Sequence, residues 1–137
     1  MNNLRKLLAY TFHLYYMTHL FHWNVKGNNF VGLHYLFAEQ YKNLWEAVDV
    51  IAEKIRQRGE LIDYSLSDME QNSFAVQYMG IENQVDMVKQ LLRHNILMVE
   101  KLNEMIETTD DLVDQNLFIE RRAYHDLQVW KLSSILE

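Results

Sequence analysis

The chain has 137 residues, enough for one domain with a substantial core, and 23% of them are charged, which excludes a strongly charged disordered chain. It contains four glycines and neither proline nor cysteine. The shortage of helix breakers favours long helices. The absence of cysteine excludes disulfides and thiolate zinc sites, and it predicts a protein of the reducing cytoplasm.

The net charge of −6 is unevenly distributed. The first 38 residues contain three basic residues and no acidic one, so the remaining 99 residues carry −9. A site that combines the N-terminal histidines with carboxylates must therefore draw the carboxylates from later in the chain or from another chain. The acidic total and the lack of a Lys/Arg-rich tail predict no direct DNA binding, because phosphate neutralisation needs clustered basic residues.

The first predicted helix runs from about Leu4 to Val25, with Asn2 or Asn3 as its cap and Gly27 as its stop. Three histidines interrupt its apolar run, and no small-residue cleavage site follows. These features favour a buried helix over a membrane span or a signal peptide. Its many aromatic side chains indicate burial in a bundle or at an interface.

The second predicted helix is unusually long, from Phe30 to Arg58, after a turn at Asn28-Asn29 that caps it. It ends at Gly59, and a crossover with a short helix around residues 65–72 follows. At about 1.5 Å per residue this second helix would span roughly 43 Å.

Two more helices complete the predicted fold. The third covers about Ile81 to Glu107, and the fourth runs to the C-terminus after a turn and N-cap at Thr108-Thr109-Asp110. Their apolar residues recur at helical spacing: Val85, Val88, Leu92, Ile96, Val99, Leu102 and Ile106 in the third, and Leu117, Ala123, Tyr124, Leu127, Trp130 and Ile135 in the fourth. Two helical hairpins joined by one long crossover describe an all-α, ferritin-like four-helix bundle, with residues 1–137 as a single domain.

Two histidines and two carboxylates form a candidate metal-ligand set: His22, His34, Asp49 and Glu53. Asp49 and Glu53 are four residues apart and so share one face of the second helix. Asp49, however, lies fifteen residues beyond His34, which is roughly 22 Å along a helix. One chain cannot offer both halves to one metal ion. Either these residues are unrelated, or a second copy of the protein completes the site.

The same residues carry a resemblance to a known family. The run HWNVKGNNFVGLH from His22 to His34, followed by DVIAEKI from Asp49, resembles the Dps miniferritins, the DNA-protection-during-starvation proteins. Their pattern is HWxVxG, a phenylalanine, LH and then DxxAER, from which only Lys54 departs in the last element. The Trp-Lys-Leu sequence at 130–132 resembles the family's C-terminal element.

The resemblance implies a hollow homo-dodecamer whose ferroxidase sites lie at two-fold dimer interfaces. His22 and His34 of one chain would face Asp49 and Glu53 of its mate, binding iron as Fe(II). The family usually oxidises this iron with hydrogen peroxide, or else with oxygen, and stores ferric mineral in the cavity, which protects against oxidative damage. Trp23 corresponds to the family's tryptophan near the metal, with either a radical or electron role or a packing role.

One position departs from the family pattern and leaves an alternative open. The family generally has a carboxylate four residues after the second histidine, where this chain has Ala38. The loss of a ligand and its charge predicts weaker iron binding and slower oxidation. The alternative is a dodecameric shell with a degraded site, which binds a metal such as zinc without efficient ferroxidase activity.

Three carboxylates begin the fourth helix, where the family builds acidic pores for iron entry: Asp110, Asp111 and Asp114. The resemblance therefore implies a pore role for them. The competing interpretation is that acids near a helix N-terminus cap it and complement its dipole.

Overall fold

The computed structural model describes residues 2–73 and 83–137. Over these residues it contains five α-helices and no β-strand. The chain divides into two compact units, residues 1–84 and 85–137. None of the helices in the described ranges is long and apolar enough to span a membrane.

The first helix, α1 (Asn3–Asn24), has the predicted boundaries to within one residue. Its N-cap is Asn2, whose side-chain oxygen accepts a hydrogen bond from the Arg5 backbone amide at 2.9 Å. Gly27 follows the helix with a φ of +123°, a conformation that residues with a Cβ rarely adopt. A Cβ at this position would also lie 3.0 Å from the Gln84 side chain, so the turn requires glycine.

The second helix, α2 (Phe30–Gln57), is continuous, as predicted. Asn29 occupies the N-cap position of α2 in the predicted turn, but its side chain makes no cap hydrogen bond. Its φ of −107° and ψ of 27° lie outside the extended region from which an N-cap side chain reaches the first amides. Gln84 holds the turn instead, donating to Asn28 Oδ1 at 2.5 Å and accepting from the Asn29 amide at 3.2 Å.

Helices α1 and α2 pack as an antiparallel hairpin. Their ring contacts pair residues in opposite chain directions, His22 with His34 and Tyr15 with Tyr41. Each helix buries apolar residues at intervals of three and four, among them Leu7, Leu14, Phe21, Leu33, Phe37, Leu44 and Ile51. This spacing turns one stripe of each helix toward the other.

The crossover contains the predicted short helix, α3 (Leu66–Gln71), which packs against α1. A capping box begins it, because Ser65 and Asp68 each accept a hydrogen bond from the other's backbone amide. The Arg5 side chain also ties the crossover to α1 through a 2.9 Å ion pair with Glu60.

The second unit consists of α4 (Gln84–Thr108), whose first residue belongs to the other unit, and α5 (Leu112–Leu136). The predicted start of α4 at residue 81 lies outside the described residues. The N-cap of α5 is Asp111, one residue later than predicted. Gln115 Nε2 of α5 donates to the Ile106 carbonyl of α4 at 3.2 Å, close to the connection between the helices.

The apolar residues of α4 and α5 do not all face inward. Six of those at helical spacing are exposed: Val85, Ile96, Ala123, Leu127, Trp130 and Ile135. The buried positions include five polar side chains: Gln90, His94, Asn95, His125 and Gln128. Buried polar groups are tolerated when they form hydrogen bonds, and the His125 ring bonds Asn95 Oδ1 at 2.7 Å. A polar seam therefore runs through the buried face of this unit.

Candidate metal centre

His22 near the end of α1 and His34 in the first turns of α2 lie directly beside each other. Their rings stack with centroids 3.8 Å apart and an angle of 18° between the planes. His22 Nδ1 bonds the His34 carbonyl at 2.8 Å, and His34 Nδ1 bonds the His22 carbonyl at 2.9 Å. The two residues thus hold each other in place through a reciprocal pair of hydrogen bonds.

These hydrogen bonds fix the tautomer of both rings. A carbonyl oxygen only accepts, so each Nδ1 carries a proton, and in the uncharged form of each ring the lone pair is then on Nε2. Neither Nε2 has a hydrogen-bond partner among the described residues, and neither is a buried atom. Metal-bound histidines commonly donate their other ring N–H in this way. The pair is therefore already arranged as two imidazole ligands.

The local sequence explains why the pair forms. His22 lies in the last turn of α1, where backbone carbonyls lack partners within the helix, so its carbonyl is available to the His34 ring. The tight turn at Gly27 returns the chain so that His34 comes alongside. Phe30 covers the outer face of His34, with centroids 4.8 Å apart and a plane angle of 17°.

The carboxylates Asp49 and Glu53 lie further along α2, and both are exposed. Being four residues apart, they share one face of the helix. Neither forms a hydrogen bond or ion pair with any described residue. They are two acidic groups on one helix face that form no ion pair with a cation in residues 2–73 or 83–137.

The structure does not bring the histidines and carboxylates of one chain together. The helix between them is unbroken, so the estimate of roughly 22 Å between His34 and Asp49 applies. Over residues 2–73 and 83–137 no group of three or more His, Asp or Glu side chains is placed to hold a metal ion. Ala38 lies one turn after His34, half-buried and without a ligand atom.

An aromatic cluster that sequence reasoning missed lies beside His22. It consists of Tyr15 and His19 of α1 with Tyr41 and Trp45 of α2, and these four line a groove of about 340 Å³. His19 stacks on Tyr41 with centroids 3.8 Å apart and on Trp23 at 4.0 Å. The spacing of four residues within each pair was the available signal, because it places the two members of a pair on the same face of their helix.

Tyr15 and His19 form a hydrogen bond, with 2.9 Å between the phenolic oxygen and Nδ1. Burial raises the pKa of Tyr15, and so does the nearby Tyr41. Burial lowers the pKa of His19, as does the neighbouring His22. At neutral pH the phenol is therefore protonated and the imidazole uncharged, and in the tautomer with its proton on Nε2 His19 accepts the Tyr15 hydroxyl hydrogen at Nδ1.

Trp23, the tryptophan next to His22, is 59% exposed.

The three carboxylates at the start of α5 occupy different environments. Asp111 accepts hydrogen bonds from the amides of Val113 and Asp114 at 2.9 and 3.0 Å, so it acts as the helix cap. Asp114 is buried, and Asp110 is exposed. The capping interpretation thus accounts for Asp111.

Comparison with known proteins identifies relatives along the whole chain. The family model described as a ferritin-like domain matches residues 1–137. The DNA protection during starvation protein of Brevibacillus brevis is 28% identical over 90% of this chain and 85% of its own length. An uncharacterised low temperature-induced protein of Nostoc is 28% identical over 99% of this chain and 79% of its own length.

Solved structures agree with these relatives. The crystal structure of Dps from Staphylococcus aureus superimposes with a TM-score of 0.89 at 28% identity, covering 98% of this chain and 93% of that one. Dps from Bacillus brevis gives 0.88 at 27% identity, with the same coverage. The all-α, ferritin-like four-helix bundle predicted from the sequence is thereby confirmed.

Proposed function

Because the chain belongs to the ferritin-like domain family, and within it to the Dps miniferritins, we propose that it binds Fe(II) at sites shared between subunits. The bound iron is oxidised by hydrogen peroxide or oxygen, and ferric mineral is stored inside a dodecamer of single-domain subunits. Oxidising iron with peroxide also removes the reagent that would otherwise generate hydroxyl radicals.

The observation that supports a shared site most strongly is the separation of its two halves. His22 and His34 lie at one end of α2, and Asp49 and Glu53 lie about four turns away on the same unbroken helix. In an isologous two-fold dimer each surface meets its own copy, so the histidine half of one chain can face the carboxylate half of the other. Each dimer then carries two equivalent sites.

The two halves offer complementary ligand chemistry. The histidine half supplies two imidazoles, held by the reciprocal Nδ1 hydrogen bonds. The carboxylate half supplies two exposed anions, which offset the charge of the ion. Two histidines with carboxylate suit Fe(II) and leave coordination positions open for an oxidant. Zinc accepts the same ligands and would act as a redox-inactive substitute.

Ala38 favours a second candidate, an inert or slow shell. A carboxylate at this position would add a ligand and a negative charge to the histidine half, and alanine adds neither. One iron position at each site is therefore expected to bind weakly, with slower oxidation as the consequence. In the limiting case the dodecamer binds a metal and does not oxidise it efficiently.

Two secondary roles follow from the same proposal. The exposed Asp110 is the carboxylate of its group best suited to a pore, because Asp111 is engaged as a cap. Duplex DNA is not expected to bind at moderate salt, since the net charge is −6 and phosphate contacts need clustered cations.

The decisive experiment mixes two inactive variants. One chain carries H22A and H34A, and the other carries D49N and E53Q. If sites are shared across an isologous dimer, each mixed dimer contains one intact site and one site that lacks both halves. Random co-assembly then restores about a quarter of the wild-type sites, because half of the dimers are mixed and each regains one of its two sites.

The measurement is anaerobic Fe(II) binding followed by a peroxide pulse and ferric absorbance, with the oligomer mass checked by light scattering. Each variant alone serves as the control and should remain inactive. No recovery in a verified mixed oligomer would contradict the shared site. A wild-type dodecamer that binds Fe(II) and yields no ferric absorbance would favour the inert shell.

A further inference from the structure

We propose that Tyr15 is a built-in electron donor for peroxide reduction at the histidine half of the site, with His19 accepting its proton. The inference rests on the proposed function, in which Fe(II) is the substrate and hydrogen peroxide the oxidant. It assigns a redox role to a tyrosine–histidine pair that lies outside the proposed ligand set.

The pair has the geometry of a proton-coupled electron donor. Oxidising a phenol makes its proton strongly acidic, so a base already hydrogen-bonded to the oxygen lets the proton leave with the electron. The Tyr15 phenolic oxygen lies 2.9 Å from His19 Nδ1, so the imidazole is in place to accept the phenolic proton. The tyrosine ring also contacts Trp45, with centroids 5.0 Å apart.

A continuous series of rings connects this pair to the proposed ligands. His19 stacks on Tyr41 with centroids 3.8 Å apart, and Tyr41 lies 5.1 Å from His22. The His19 and His22 rings are 6.0 Å apart, and His22 stacks on His34 at 3.8 Å. An electron therefore moves from Tyr15 to the ligand pair across gaps of ordinary ring contact.

Tyr15 is a better electron donor than Tyr41, Trp23 or Trp45 because its phenolic oxygen is hydrogen-bonded to an imidazole. Tyr41 lies closer to His22, but its hydroxyl has no hydrogen-bond partner among the described residues. Trp23 and Trp45 are 59% and 56% exposed, so an electron hole on either side chain would sit at the surface. The geometry thus favours an electron hole located on Tyr15.

The redox balance closes without any further reagent. Reduction of hydrogen peroxide breaks its O–O bond and consumes two electrons and two protons, giving two water molecules. Fe(II) supplies one electron and becomes Fe(III), and Tyr15 supplies the other and becomes a neutral phenoxyl radical. Its phenolic proton moves to His19, forming the imidazolium, while the two protons consumed come from solvent. A second Fe(II) then reduces the radical, and the proton returns from His19 to Tyr15.

The relay suits a site in which one iron position is weak. With Ala38 in place of a carboxylate, an Fe(II) ion often meets peroxide alone. A single electron from that ion would cleave peroxide to hydroxide and a free hydroxyl radical. A second electron from Tyr15 completes the reduction to water. The overall stoichiometry remains two Fe(II) per peroxide, although the ions arrive one at a time.

The first test uses the oligomer without iron, so that it does not depend on iron chemistry. A photogenerated one-electron oxidant is applied to the wild type, Y15F and Y16F, and radicals are trapped by freezing and identified by electron paramagnetic resonance. A neutral tyrosyl signal is expected in the wild type and in Y16F, whose altered tyrosine is 51% exposed on the same helix. Y15F should lose that signal, and H19Q should lower it strongly because an amide does not accept the proton.

The second test adds one Fe(II) per site, then peroxide, with a spin trap for hydroxyl radical. Y15F should release several-fold more trapped radical than the wild type or Y16F while its Fe(II) affinity is unchanged. Equal tyrosyl signals in Y15F and wild type, a radical confined to tryptophan, or equal spin-trap yields would each overturn the proposal. Absence of ferric product in every variant would instead indicate failure of the proposed ferroxidase function, and the iron-free result would still stand.

Discussion

The first unit contains the stacked pair His22 and His34, the second unit contains the pair His94 and His125, and the two pairs differ in one respect that bears on their proposed roles. His22 and His34 in the first unit are half-buried, and their Nε2 atoms are not buried. His94 and His125 in the second unit are fully buried. In all four residues Nδ1 is hydrogen-bonded, to a backbone carbonyl in three of them and to Asn95 Oδ1 in His125.

The difference teaches that a satisfied Nδ1 does not by itself mark a ligand. It fixes the tautomer in both pairs, so access to Nε2 becomes the distinguishing property. Burial lowers the pKa of His94, and it lowers the pKa of His125 well below the ordinary value, with Arg121 adding to the effect on His125. The second pair is therefore a neutral part of the protein interior, and the first is a pair of available bases.

The largest expected effect comes from replacing one histidine of each pair with alanine and comparing the two variants. H34A should slow peroxide-driven iron oxidation on the order of a hundredfold, because it removes one of the two imidazole ligands and that ring's hydrogen bond to the His22 carbonyl. H125A should leave the iron site intact and lower the free energy of unfolding by about 1–3 kcal/mol, because Asn95 Oδ1 loses its partner. Stopped-flow ferric absorbance and urea unfolding measure the two quantities.

We therefore expect each variant to change one measured quantity: H34A the rate of iron oxidation, and H125A the free energy of unfolding. If H125A abolished iron oxidation while the oligomer stayed intact, the interpretation of the second pair as structural would be wrong. If H34A oxidised iron at the wild-type rate, the histidine half would lose its proposed role.

The second prediction concerns pH and the buried pair. Because the folded-state pKa of His125 lies well below 6.5, the unfolded chain takes up a proton first as pH falls. The contribution of His125 to the free energy of unfolding is thus fully present above about pH 6.5. Below that pH the contribution falls by about 1.4 kcal/mol per pH unit until the folded-state pKa is reached. His94 adds a decline with the same sign. Urea unfolding at fixed protein concentration, from pH 7 to pH 5, measures the slope.

The control is H125Q, which retains a polar side chain and does not titrate. Its stability should fall less steeply than that of the wild type over the same pH interval. Identical slopes would mean that protonation of His125 does not contribute to acid unfolding.

The sequence predicted the helices well because their signals are local. Spacing of apolar residues, the asparagine cap of α1, and glycines at the ends of α1 and α2 placed most boundaries within one or two residues. It predicted the buried face of the second unit poorly. His125 and Asn95 are buried because they bond each other across thirty residues, and no local pattern reveals such a pair. Exposed apolar residues such as Trp130 also made the buried face of α5 harder to predict from apolar spacing.

The geometry of the candidate site could likewise be predicted only in part from the sequence. Helix rise alone separated His34 from Asp49, because α2 is regular. The reciprocal hydrogen bonds between His22 and His34 were beyond prediction, since they depend on how the turn at Gly27 aligns the two helices. The Tyr15–His19 bond had a local signal, a spacing of four residues on one helix, but its contact with α2 did not.

The smallest expected effect tests whether position 38 belongs to the histidine half of the site. Ala38 lies one turn beyond His34 on α2, so A38E should place a carboxylate near the two Nε2 atoms. The added ligand and charge are expected to raise Fe(II) affinity on the order of tenfold and to speed oxidation, while leaving the buried pair and the acid unfolding unchanged. N103E, which adds the same charge at an exposed position of α4, controls for general electrostatics. Equal affinities for A38E and N103E would show that position 38 is not part of the site, and the weakness assigned to Ala38 would need another cause.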